Sequence, residues 1–270
     1  HQAMRQASMF ALAASLLLMQ IALIGNCFLL PPIVDSAQLI FTLLVVVPCY
    51  ALAIVTSGKR IAFNVKSCNP MRVKLLTKAA KPELQRYTAY MLLRTLPTAC
   101  VCVAIFITLV SSNLGYDSSK GTSANQLWDA LVYDSMAYVD DERLRTATVR
   151  AQQGVNLIVA LFLGFFCIGS LHRTASLLEL WRYCKYIWLL AFVSAGTLQG
   201  IFTAVSVKLS TNETDSRALP ASVIVLSVVW PIVILCVDEA VRHHDRKKFR
   251  RQQQRLTLEF ETLLGQTSPK

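Results

Sequence analysis

The sequence predicts an all-α protein, a polytopic membrane helix bundle of about six spans. Composition is the first observation behind this. The chain is 54% hydrophobic and only 16% charged, with a mean hydropathy of +0.46, whereas an ordinary soluble domain is about one quarter charged. The second observation is a set of uncharged runs near the length of about 20 residues that a helix needs to cross the hydrocarbon core. The third is the alternation of basic and acidic character between the segments that join them.

Taken in order, the runs are Ser8 to Leu30, Ala37 to Val55, Tyr90 to Val110, Val155 to Leu171, Tyr186 to Val207, and Leu219 to Val237. The first is too long for the apolar core of a signal peptide, so the chain is expected to continue something longer. The third holds Arg94 near its start, where a long basic side chain is expected to reach back to the interface. The fourth is short, bounded by Gln152 and Gln153 on one side and His172 on the other. On these boundaries no carboxylate lies inside a span.

Orientation follows from Lys and Arg. The segment between runs two and three carries Lys59, Arg60, Lys66, Arg72, Lys74, Lys78, Lys81 and Arg86 against Glu83 alone. The segment between runs four and five carries Arg173, Arg182 and Lys185. These and both chain ends are expected in the cytosol. The residues from Ser111 to Gln153, with Asp117, Asp129, Asp134, Asp140, Asp141 and Glu142, and the loop holding Glu213 and Asp215, are expected on the other side. Asn212-Glu213-Thr214 is a glycosylation sequon on that side. In the acidic loop, residues 125–150 have helical spacing. A solvated acidic face accounts for the carboxylates better than a cation-attracting mouth does.

The organisation is therefore a membrane domain over residues 1–240 and a basic helical tail over 241–270. Arg246, Lys247, Lys248, Arg250 and Arg251 in the tail suit contact with anionic lipid headgroups, and they equally serve to fix topology. The formal charge of +11 belongs to membrane orientation, since the basic residues flank apolar runs instead of alternating with stacking aromatics. No nucleic-acid partner is expected. Of the eight cysteines, six lie in apolar runs and Cys68 and Cys184 in basic loops, so no disulfide is expected. Cys49, Cys100 and Cys102 read as small buried hydrophobes in preference to a soft-metal site.

Several stretches, in order, resemble the last six membrane helices of P-type ATPases. Leu30-Pro31-Pro32, Gln38-Leu39-Ile40-Phe41 and Pro48-Cys49-Tyr50-Ala51-Leu52-Ala53 are similar to that family's fifth helix, tight turn and sixth helix. Residues 156–173 resemble the eighth helix, and Leu219-Pro220 through Val237-Asp238-Glu239 the tenth. The tail residues Leu256-Thr257-Leu258-Glu259-Phe260-Glu261-Thr262 resemble a divergent branch of animal endomembranes associated with magnesium transport. The resemblance implies the membrane half of a cation transporter, in the endoplasmic reticulum or another endomembrane, with Mg2+ as transported ion. It also implies an upstream half of the same protein as partner.

No Asp-Lys-Thr-Gly-Thr phosphorylation motif, nucleotide domain or actuator loop is present, so the chain alone is expected to be no enzyme and to hold no cofactor. Where the family's sixth helix supplies Asn and Asp ligands, alignment on Pro48 gives Phe41 and Val45, and alignment on Gln38 gives Leu43 and Val47. What remains for an ion pathway is neutral. Gln20, Asn26, Thr42 and Pro48 are the candidates, with Thr95, Thr98 and Gln199 as further polar residues in the spans. Interhelical hydrogen bonding is the plainer role for each. A non-catalytic scaffold or regulator of another transporter is the competing reading, and the missing carboxylates favour it. An unrelated six-span channel or intramembrane protease lacks its expected motifs.

Overall fold

A computed structural model describes residues 2–62, 80–114, 142–170, 177–210, 220–241 and 243–244. Among them there is no strand, and six helices are long and apolar enough to cross a membrane. These are span one, Ala3–Cys27; span two, Ser36–Ser57; span three, Ala89–Leu114; span four, Leu144–Ser170; span five, Tyr186–Ser206; and span six, Ala221–Val241. The protein is a multi-pass membrane bundle. The basic segment between spans two and three, most of the acidic loop, Asn212 and the tail residues Arg246, Lys247, Lys248, Arg250 and Arg251 lie outside the described residues.

Spans one and two form a hairpin. Span one stops because Leu29 takes a left-handed φ of 53°, which lets the Leu30 N–H reach the Gly25 carbonyl at 3.0 Å and the Leu29 N–H that of Asn26 at 3.1 Å. These bonds satisfy carbonyls that the helix end would otherwise strand. Pro31 and Pro32 then bar further helix. Span two restarts at Ser36, where the Gln38 side chain turns back to accept the Asp35 N–H at 3.1 Å. Gly25 leaves the hairpin its closeness, for a Cβ there would sit 2.8 Å from Ile33 Cδ1. The end of the bundle with this hairpin is called the turn end, and the end where span six finishes is the tail end.

Contacts between helices set their directions. Phe10 meets Tyr50 edge-on at 6.2 Å, so spans one and two are antiparallel. Asn113 donates to the Ala147 carbonyl at 3.5 Å, joining the turn ends of spans three and four. Trp188 Nε1 donates to the Gly164 carbonyl at 2.9 Å, and Phe165 and Phe192 meet edge-on at 6.0 Å, which ties span five to span four. The core is a continuous apolar cluster, with Phe10, Leu17, Ile21, Tyr50, Phe106, Phe162 and Phe166 buried.

Several hydroxyls inside the spans are hidden in their own helices, as suits a solvent without hydrogen bonds. Ser15, Thr56, Thr95, Thr108, Thr148 and Ser227 each donate to the carbonyl four residues back, at 2.7 to 3.0 Å. Large apolar side chains facing outward, such as Leu12, Met19, Leu44, Leu190, Val225 and Ile232, suit acyl chains. Spans five and six are the least buried, with 22% of each apolar window buried among the described residues against 61% for span four.

Span one runs Ala3–Cys27 in place of Ser8 to Leu30, and two other shifts of boundary change the reading. Span four starts at Leu144 and not at Val155, because Gln152 and Gln153 are buried instead of marking the interface. The Gln152 side chain donates to the Pro32 carbonyl and so closes the turn end. Span six runs to Val241, which brings Asp238 inside it. The expectation that no carboxylate lies within a span is thereby overturned.

Candidate functional site

Span two does not keep one helical pattern. From Thr42 to Val46 it widens into a π turn, with the Val47 N–H reaching back to the Thr42 carbonyl. The cause is Pro48, which has no N–H for the Leu44 carbonyl and whose ring would press on it. An inserted π turn relieves that clash within the apolar run.

Polar side chains gather at this depth. Gln20 is seven residues from Cys27, Thr42 six from Ser36, and Gln199 seven from Ser206. At a rise of about 1.5 Å per residue, all three lie about 10 Å below the turn end. Thr42 Oγ1 donates to Asn156 Oδ1 of span four at 3.1 Å, both side chains being buried. Phe41 stacks on Phe202 at 4.3 Å, which sets span five against the π turn with Gln199 one helical turn from the stack.

The hydrogen bonding at this level is incomplete. Gln199 is fully buried, and neither its Oε1 nor its Nε2 has a partner; Asn156 Nδ2, Gln20 Oε1 and Thr203 Oγ1 are also unpartnered. Each buried polar group left so costs about 1–3 kcal/mol, and native interiors seldom tolerate several together without water or an ion to meet them. Oxygens and N–H groups are both on offer and none is charged. The layer can therefore bind water, or a cation that keeps part of its water shell. Among the described residues, no group of three or more His, Cys, Asp or Glu side chains comes together.

A second polar cluster lies near the tail end. Arg94 Nη2 pairs with Asp238 Oδ2 at 3.0 Å, with side-chain exposures of 7% and 0%. Its guanidinium also lies 4.1 Å from the centre of the Phe166 ring and donates to the Phe165 carbonyl at 3.4 Å. The Tyr90 hydroxyl donates to the other carboxylate oxygen of Asp238 at 2.5 Å. Gly169 makes the room, since a Cβ there would run into both the Asp238 carboxylate and the Arg94 guanidinium. One turn deeper, Trp230 Nε1 donates to Thr98 Oγ1 at 3.1 Å, and Thr98 in turn donates to the Arg94 carbonyl at 2.7 Å.

The pathway candidates fall in different places. Gln20 and Thr42 are interior. Asn26 is exposed, its carbonyl used in the turn after span one. Pro48 also occupies an exposed position and acts through the backbone of the π turn. Arg94 does not snorkel, because a carboxylate, a carbonyl and an aromatic face hold it inside the bundle. Cys100 is exposed and Cys102 buried, as positions two apart on a helix must be, so these two do not converge on one site.

Asn156 and Asp238 escaped the sequence reading as site residues. Gln152, Gln153 and Asn156, clustered at the head of an apolar run, were the signal for the first. For the second, the signal was Arg94 itself, since a guanidinium within a span requires a counter-charge somewhere in the bundle.

Set against protein-family models, curated proteins and solved structures, the chain matches none.

Proposed function

We propose that this chain is the membrane-embedded portion of a cation transporter of the P-type-ATPase kind, with magnesium as its ion, and that the ion crosses at the neutral layer beside the π turn. One observation supports this above the others: span two breaks its α-helical bonding where the Gln199 amide of span five stands without partners and the Asn156 amide of span four is half-satisfied. Interrupted helices with under-bonded backbone near the membrane interior are how transporters commonly make ion sites. Magnesium sheds water reluctantly and binds through waters it keeps, so a site of neutral amides suits it better than it suits an ion that must be stripped.

The rest of the reading comes from the sequence. The tail is similar to that of transmembrane protein 94, an endomembrane member of the divergent P-type-ATPase-like group. Phosphorylation and nucleotide binding then belong to an upstream half. The Lys and Arg distribution puts the tail end in the cytosol, with tail and anionic lipid in contact and Asn212 on the far side.

A second reading has its own support. The polar layer holds no carboxylate, and the one carboxylate buried within span six is already engaged by Arg94. A bundle of that kind would serve as a non-catalytic scaffold or regulator of another transporter. Purifying the complete protein into vesicles and following magnesium with and without ATP separates the two. ATP-dependent movement above that of protein-free vesicles supports the transporter. Its absence, together with an upstream sequence lacking an aspartyl-phosphate motif, supports the scaffold.

A further inference from the structure

Span six packs Val223, Leu226, Trp230, Ile234 and Leu235 on the core but turns most of its apolar surface outward. Ile224, Val225, Val228, Val229, Ile232 and Val233 all face outward, and what joins its tail-end half to span three is a polar seam of Trp230 with Thr98, then Asp238 with Arg94 and Tyr90. Without a hydrophobic drive between helices in lipid, such bonds and close packing decide which helices associate. The dependence also runs the other way. Arg94 cannot shed its proton, and among the described residues Asp238 is the only carboxylate paired with it. Span three is made well before span six, so until span six is in place its guanidinium lacks its carboxylate within the membrane.

We infer that the Arg94–Asp238 pair is an assembly lock, through which span six, made after span three, neutralises it and docks on the bundle. The lock is independent of whether the bundle moves ions. Its parts are unequal. Losing Asp238 leaves the guanidinium with only the Phe165 carbonyl and the Phe166 ring, whereas losing Arg94 leaves a carboxyl group that still accepts from Tyr90.

Pulse-chase labelling of the complete protein in cells, comparing wild type with Asp238→Leu, Arg94→Leu and the double Leu variant, tests this. The expected order of lifetimes is wild type and double variant within about twofold of each other, Arg94→Leu shorter, and Asp238→Leu shortest, by tenfold or more. Detergent-extracted material should follow the same order in the monodisperse fraction on size exclusion. A double variant as short-lived as Asp238→Leu would assign the two residues to packing alone and overturn the lock. So would Asp238→Leu matching wild type.

Discussion

Replacing Gly169 by Ala adds one methyl group, and the fold gives it nowhere to go. The ideal Cβ position lies on top of the Asp238 carboxylate and within contact of both terminal nitrogens of Arg94. Long side chains at a surface would swing aside, but here Asp238 is fully buried on a short stem and Arg94 is held by the Phe166 ring and the Phe165 carbonyl. Either span four moves away from spans three and six, or the 3.0 Å pair opens. Overpacking of this sort costs about 1–3 kcal/mol, and separating a buried pair costs about 3–5 kcal/mol because each charge is then left alone. The expected loss for Gly169→Ala is about 3 kcal/mol, roughly a hundredfold in the folded-to-unfolded ratio. The assay is reversible unfolding of the complete protein in mild detergent. In the background of Arg94→Leu with Asp238→Leu the same change should cost less, since flexible apolar ends replace a fixed ion pair. A loss below about 0.5 kcal/mol in the wild-type background would refute the packing argument around Gly169.

Other outcomes follow from the same contacts. Leu29→Gly should stabilise by about 0.5–1 kcal/mol in that unfolding assay, because a left-handed φ of 53° strains leucine and not glycine. Trp188→Phe keeps the ring packing but removes the donor to the Gly164 carbonyl, and should cost about 1 kcal/mol. Gly164→Ala should cost about 1–3 kcal/mol by overpacking, since its Cβ would lie 2.6 Å from the Phe192 ring and 2.8 Å from the Tyr50 hydroxyl. Pro48→Ala restores an N–H to span two; it should leave the fold intact and, if the π turn serves transport, lower ion flux in vesicles severalfold.

Span number and helical class were legible because membrane insertion is governed by summed hydropathy over a window, which a sequence carries directly. Boundaries were less legible where polar residues are buried. Gln152 and Gln153 look like an interface until Pro32 is seen to accept from Gln152. Asp238, one residue beyond the last apolar residue of its run, looks solvated until Arg94 is seen beside it. Both depend on residues distant in the chain that local hydropathy does not sense. Of the pathway candidates, Gln20 and Thr42 were found because a lone polar residue in an apolar run stands out. Asn26 was equally conspicuous, yet helix phase and the turn after Cys27 put it outside. Pro48 was named as a pathway candidate, but the π turn before it was not read from the sequence, and its alignment with Asn156 and Gln199 required the packing of three helices.

The central claim is that a cation crosses the membrane at the neutral layer formed by spans two, four and five. The most direct measurement is magnesium flux in vesicles containing the complete protein, comparing wild type with Asn156→Leu combined with Gln199→Leu. Gln199→Leu removes an amide without partners and Asn156→Leu one whose Nδ2 has none, at the cost of the hydrogen bond from Thr42, and the folded bundle should survive both. The account predicts flux reduced tenfold or more with unchanged monodispersity; undiminished flux through a correctly folded double variant would contradict it.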